Sequence, residues 1–285
     1  MRKTFLMVAA VAAMLATGFT ACKPNSTPKE VDIYVAGYDK SGTEYVAKVW
    51  KNGKEFYELT DGSKEAYAFS VFVVGGDVYS AGYEDNGTNK VAKVWKNDKE
   101  LYELTDGSKN ALAYSVFVAD DKVYTAGYDG KVAKLWKNKS ATDLTDGSKD
   151  AYAYSVFVAG SNVYTAGYED NGTYNVAKVW KNKKAIFHTD GSKHATAYSV
   201  YVVGDDVYVA GSERGAAKVW KNKEELYDLA DNGEAYSIVV HNGDVYVAGR
   251  ESDGTDDVAK VWKNGKELYS LADKGGAYSI FIVER

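Results

Sequence analysis

Arg214 and Arg250 are the only arginines between Arg2 and the terminal Arg285, in a chain that otherwise uses lysine for its positive charge. A guanidinium is a planar fork that matches carboxylates and other paired oxygens in two-point fashion, which an ammonium does not. Glu213 precedes the first of them and Glu251 follows the second, while His194 and Glu234 stand at corresponding turns just upstream. These six residues define a candidate shallow site for an acidic or polyhydroxylated ligand, anchored by Arg214 and Arg250. Glu213 and Glu251, if brought close, would form a carboxylate pair able to do acid–base work on a glycan.

Other reactive groups point away from catalysis. His188, His194 and His241 fall on different parts of the pattern described below, and Cys22 is the sole cysteine, so no cysteine–histidine pair and no intramolecular disulfide can form. Neither a phosphate loop nor zinc-ligand spacing is present, and nothing in the sequence calls for a metal or cofactor. Removing Arg2 and Lys3 from 35 basic residues leaves 33 against 40 acidic ones, a balance unsuited to nucleic acid. A binding module is therefore favoured over an enzyme.

The elements that must position these residues are repeats. Tryptophans at 50, 95, 136, 180, 220 and 262 each sit in a copy of Val/Ala-Ala-Lys-Val/Leu-Trp-Lys, and they recur every 40 to 45 residues. Each period holds four alternating apolar runs: A, as in Ala-Tyr-Ser-Val-Phe-Val; B, Val-Tyr-x-Ala-Gly-Tyr; C, around the tryptophan; and D, Glu-Leu-Tyr-Glu-Leu-Thr. Alternation at period two over five to eight residues, rich in Val, Tyr and Phe, reads as strand, and tight turns such as Asn242-Gly243-Asp244 separate the runs. Four strands per period of this length predict an all-β, six-bladed β-propeller with four-stranded antiparallel blades over residues 31–285. The A-B-C-D order resembles that of NHL-type and related bacterial propeller repeats, and this resemblance implies that A lines the axis and D lies outermost.

The repeats begin with strand B at Asp32-Ile33-Tyr34 and stop with strand A at Tyr278-Ser279-Ile280-Phe281. Blade one is accordingly expected to combine N-terminal B, C and D strands with the C-terminal A strand, latching the ring. Antiparallel hairpins then put the D-to-A and B-to-C connections on one face, here called the top.

What the copies share reads as structure. The tryptophans are expected to fill the gaps between blades rather than to stack on sugars. The lysines two residues before them should find carboxylates or tyrosines, and the aspartates opening each D-to-A connection fit Asx turns. Ser70, Ser115, Ser155, Ser199, Ser237 and Ser279 read as small residues where strands crowd. Function is then sought where the copies differ. The interval from Asp to the strand-A aromatic is 8 residues in four copies but 5 for Asp231 to Tyr236 and Asp273 to Tyr278, and the B-to-C loops of blades five and six replace a tyrosine by Ser212 and Arg250. The top over blades five, six and one is thus where Arg214, Arg250, Glu213, Glu251, His194 and Glu234 are expected to meet.

The N-terminus supplies an address. Arg2 and Lys3 precede a mostly apolar stretch from Phe5 to Phe19, as in an export signal too short to remain as a membrane helix. Phe19-Thr20-Ala21-Cys22 resembles the bacterial lipobox, which implies cleavage and lipidation at Cys22. Residues 1–22 are thus expected to be a lipoprotein signal peptide and 23–30 a tether reaching at most about 28 Å. The expected protein is a monomeric, lipid-anchored module at the cell envelope, most simply on the outer membrane. It would hold a glycan, small-molecule or protein ligand on its top face; a glycan-active hydrolase or lyase and a structural subunit of an envelope complex are the alternatives.

Overall fold

The computed structural model describes residues 32–282 apart from 42 and 273, and these carry strands and turns with no helix. The expected signal peptide, Cys22 and tether lie outside the described residues. Blade one holds β1 (Tyr34–Ser41), β2 (Glu44–Lys51) and β3 (Lys54–Glu58). Blade two holds β4 (Ala66–Val74), β5 (Asp77–Asp85), β6 (Lys90–Lys96) and β7 (Lys99–Glu103). Blade three holds β8 (Ala111–Ala119), β9 (Lys122–Asp129), β10 (Val132–Lys137) and β11 (Ser140–Asp143). Blade four holds β12 (Ala151–Ala159), β13 (Asn162–Asp170), β14 (Asn175–Lys181) and β15 (Lys184–His188). Blade five holds β16 (Ala195–Val203), β17 (Asp206–Glu213), β18 (Ala216–Lys221) and β19 (Glu224–Ala230). Blade six holds β20 (Gly233–His241), β21 (Asp244–Ser252), β22 (Asp257–Lys263) and β23 (Lys266–Ala272). Every pairing is antiparallel between sequence neighbours, as a meander requires, so the fold is the six-bladed propeller that the repeats predict.

The A strands of successive blades pack on one another near the axis. Their aromatics form a continuous run, Phe69 to Tyr114 to Tyr154 to Tyr198 to Tyr236 to Tyr278, with centroid separations of 5.4, 5.0, 5.5, 5.3 and 4.8 Å. The repeated serine is more than a small residue there. Its hydroxyl accepts a hydrogen bond from a backbone N–H of the next blade: Val116 to Ser70, Val156 to Ser115, Val200 to Ser155, Ile238 to Ser199 and Ile280 to Ser237.

Each tryptophan from the second onward seals the gap to the blade before it. Trp136, for instance, packs with Phe72, Ala81, Val94 and Leu104 of blade two, and Trp95, Trp180, Trp220 and Trp262 do the same at their interfaces. These five are between 0 and 5% exposed, whereas Trp50 is only half-buried. In the described residues blade one has three strands, not the expected four. The C-terminal segment occupies the next A position after blade six, through Ala277 N–H to the Gly249 carbonyl (3.0 Å), Ile280 N–H to Ser237, and Tyr278 stacked on Tyr236, the last two being the same contacts that the A strands from β8 onward make with the blade before them.

The strand-C lysines pair with carboxylates of strands B and D, as with Lys93 to Glu84 (2.6 Å) and Glu100 (2.7 Å). The Asx turns are formed at Asp61, Asp106, Asp146 and Asp190, each accepting the N–H of the serine two residues on at 2.8 to 2.9 Å. Beneath, the asparagine of each Trp-Lys-Asn sits at positive φ and clasps the start of strand B, as Asn182 Oδ1 does with Val163 N–H at 2.8 Å.

Candidate functional site

Near the axis at the top, one cross-strand position distinguishes the blades. The A and B strands pair Tyr67 with Tyr83 in blade two, Leu112 with Tyr128 in blade three and Tyr152 with Tyr168 in blade four. Blade five has Thr196 with Ser212, and blade six has Glu234 with Arg250. The aromatic pairs touch, Tyr67 with Tyr83 and Tyr152 with Tyr168 each at 5.2 Å, and Tyr128 of blade three lies 4.2 Å from Tyr152 of blade four. An aromatic wall over blades two to four therefore drops to two small hydroxyls and then meets a charged cluster.

Glu234 is the hub of that cluster. Its carboxylate accepts from the Tyr198 phenol of the neighbouring blade (2.9 Å), from the Tyr236 phenol, and from Arg250 Nε (2.8 Å), with Arg250 Nη2 2.7 Å away in the ion pair. Arg250 also binds Asp257 through Nη1. Burial pushes the Glu234 carboxyl up, but the donors from Tyr236, Tyr198 and Arg250 outweigh it and hold the group below the usual carboxylate range. Burial and the Glu234 charge raise both phenols, so Tyr198 and Tyr236 stay protonated donors at neutral pH. The neighbouring hydroxyls of Ser212 and Thr196 partly offset that rise at Tyr198.

The structure brings together some of the sequence-derived candidates and separates others. Glu234 and Arg250 meet, but as partners, so the guanidinium is engaged by two carboxylates. Arg214 is exposed at the tip of the β17–β18 turn, at a φ of 55°, with its N–H on the His194 carbonyl (2.8 Å). His194 in turn accepts the Asn175 N–H at 3.1 Å and meets Tyr174 edge-on at 5.2 Å, tying it to blade four. Glu251 lies 3.4 Å from Lys260 and belongs to the strand-C lysine pairs. Glu213, half-buried at the end of β17, pairs in register with Ala195 and Ala216. Sequence reasoning missed Thr196, Tyr198, Ser212, Tyr236 and Asp257. The signal was present two residues before each strand-A aromatic, where the copies read Tyr67, Leu112, Tyr152, Thr196 and Glu234.

No protein-family model and no curated protein sequence matches the chain. Among solved structures, the computationally designed protein Ika8 is similar at a TM-score of 0.50 and 18% identity, over 87% of this chain and 77% of that one. An α-L-arabinofuranosidase from Clostridium thermocellum has a TM-score of 0.39 and 14% identity, over 75% of this chain and 95% of the enzyme. At such identities the first likeness concerns the fold alone, and the second is too remote to bear on this chain.

Proposed function

We propose that the protein is a lipid-anchored binding module of the cell envelope that holds a polyhydroxylated ligand, a glycan, on its top face over blades five and six. The observation that carries this reading is the step from paired tyrosines to Thr196 and Ser212 directly beside the Glu234–Arg250–Asp257 cluster. Aromatic faces with a few fixed donors and acceptors suit a ligand that has both apolar ring faces and hydroxyls. Because Arg250 is already neutralised by two carboxylates, a neutral polyol fits better than an acid. Glu234, held ionised, is an acceptor and lacks the raised pKa that a glycosidase proton donor needs. The lipid anchor at Cys22 accounts for the address and would leave the top face directed away from the membrane.

The test is a screen of neutral and acidic oligosaccharides against the protein and against the double variant Thr196→Tyr, Ser212→Tyr, which rebuilds in blade five the pair found in blade four. Saturable binding of a neutral glycan that the double variant loses, with its thermal transition retained, is the expected result. A double variant that binds like the parent, or a screen without any saturable glycan, overturns the reading.

A further inference from the structure

Blade four carries a second feature, independent of the axial cluster. In the other blades the strand-C lysine is held by at least one carboxylate of strand D: Lys48 by Glu55 and Glu58, Lys93 by Glu100 and Glu103, Lys134 by Asp143, Lys218 by Glu225 and Asp228, Lys260 by Glu267. Among the described residues Lys178 is ion-paired with Glu169 of strand B and with no carboxylate of strand D. The registers show why. Ala185 lies opposite Trp180 where Glu55, Glu100, Glu225 and Glu267 lie opposite their tryptophans, and His188 lies opposite Lys178 where Glu58, Glu103, Asp143 and Asp228 lie opposite theirs. The Lys178 side chain is 24% exposed, against 7 to 14% for its five counterparts.

The blade has also lost its plug. Leu59, Leu104 and Leu144 each donate their N–H to the strand-C alanine carbonyl and bury their side chains over it; in blade four Thr189 makes that bond, to Ala177. Phe187 to Asp190 spans three residues where Tyr102 to Asp106 spans four, so the leucine is missing and the threonine takes its place. The result is an open depression of ≈ 410 Å³ lined by Glu169, Lys178, His188, Thr189 and Asp190 among others. Thr189 is 7% exposed, and its hydroxyl is buried without a hydrogen-bond partner among the described residues.

We infer that this depression is a binding site for a small carboxylic acid, whose carboxylate takes the place on Lys178 that strand-D carboxylates take in the other blades. The chain itself displays the geometry, with Lys–carboxylate separations of 2.6 to 2.8 Å at Glu55, Glu100, Asp143, Glu225 and Glu267. His188, directly across from Lys178, has its Nδ1 on the Thr189 carbonyl at 2.9 Å and brings no carboxylate to that position. Acidic neighbours do not forbid it. Glu169 is paired with Lys178, Asp146 of blade three feels the Lys178 charge but is held by Ser148, Asp170 accepts the Gly172 N–H, and Asp190 accepts from the N–H and hydroxyl of Ser192. Blade two tolerates more negative charge in the same place, with Glu84, Glu100 and Glu103 all around Lys93.

The experiment is an amide-resonance titration of the full chain with acetate, and with acetamide as the neutral isostere. Acetate is expected to shift Thr189 and Gly191 saturably, and acetamide is not. Ala185→Glu supplies the carboxylate from within and is expected to weaken acetate binding at least tenfold. Thr189→Leu restores the plug, raises the melting temperature and abolishes the shifts, which separates occlusion from misfolding. Absence of a saturable response, an equal response to acetamide, or unchanged affinity in Ala185→Glu refutes the inference.

Discussion

Glu234→Gln is the most direct probe of the axial cluster, since it keeps shape and removes charge. The carboxylate receives three hydrogen bonds, two from phenols and one from Arg250 Nε, with Arg250 Nη2 also 2.7 Å away in the ion pair. Breaking a fully buried ion pair costs about 3–5 kcal/mol. Here the Glu234 and Arg250 side chains are 23 and 32% exposed, and Arg250 keeps Asp257. Solvent screening and that remaining partner reduce the cost to about 1–3 kcal/mol. In a domain of this size, at about 2–4 °C per kcal/mol, the melting temperature should fall by several degrees. The pH dependence has a definite sign. A carboxyl whose folded pKa is depressed stabilises the fold above its unfolded value, about 4.3, and that contribution is lost as pH falls through the lower folded value. The gap between parent and variant should therefore be full at pH 7 and close progressively below about pH 4. Other depressed carboxylates, Asp61 and Asp77 among them, titrate in both proteins and cancel in the difference. Thermal melts of the pair from pH 3 to 7 make the measurement. A gap that is absent at pH 7, or equally large at pH 3.5, refutes the network as described.

Three further outcomes follow from the packing. Trp136→Ala removes a side chain that is fully enclosed between blades two and three and should cost about 3–5 kcal/mol, whereas Trp50→Ala, at a half-buried position, should cost about half that or less; urea titrations yielding equal losses would contradict the assignment of Trp50 to an unsealed face. Ser115→Ala leaves the Val156 N–H without its acceptor and should cost about 1–2 kcal/mol, with faster hydrogen exchange at Val156 as the local readout. Deleting residues 276–285 removes the last rung of the serine ladder and the Tyr278 stack. The thermal transition should drop for the whole domain, and an unchanged transition would show that the segment carries no part of the fold.

Much of the architecture was legible in the chain. Period-two alternation and a 40 to 45 residue spacing are local properties, and they determine strand type and sheet count because each blade is a meander of sequence neighbours. The tryptophan and lysine roles were legible for the same reason, since one strand position repeated six times has one structural explanation. Tertiary placement decided the rest. The Tyr198 phenol reaches Glu234 from 36 residues away, and Val156 reaches the Ser115 hydroxyl from 41, both across a blade boundary. No pattern within one repeat specifies which groups of two repeats will face each other. Arg250 shows the consequence most clearly: as a lone arginine in a lysine-rich chain it reads as a ligand anchor, and only the approach of β20 and β22 to its guanidinium reveals two carboxylates already there. Whether a buried hydroxyl or ammonium has a partner depends on the neighbouring strand's register, which is why the vacancy beside Lys178 and Thr189 emerges from the folded chain while the residues that create it, Ala185 and His188, stand in plain view in the sequence.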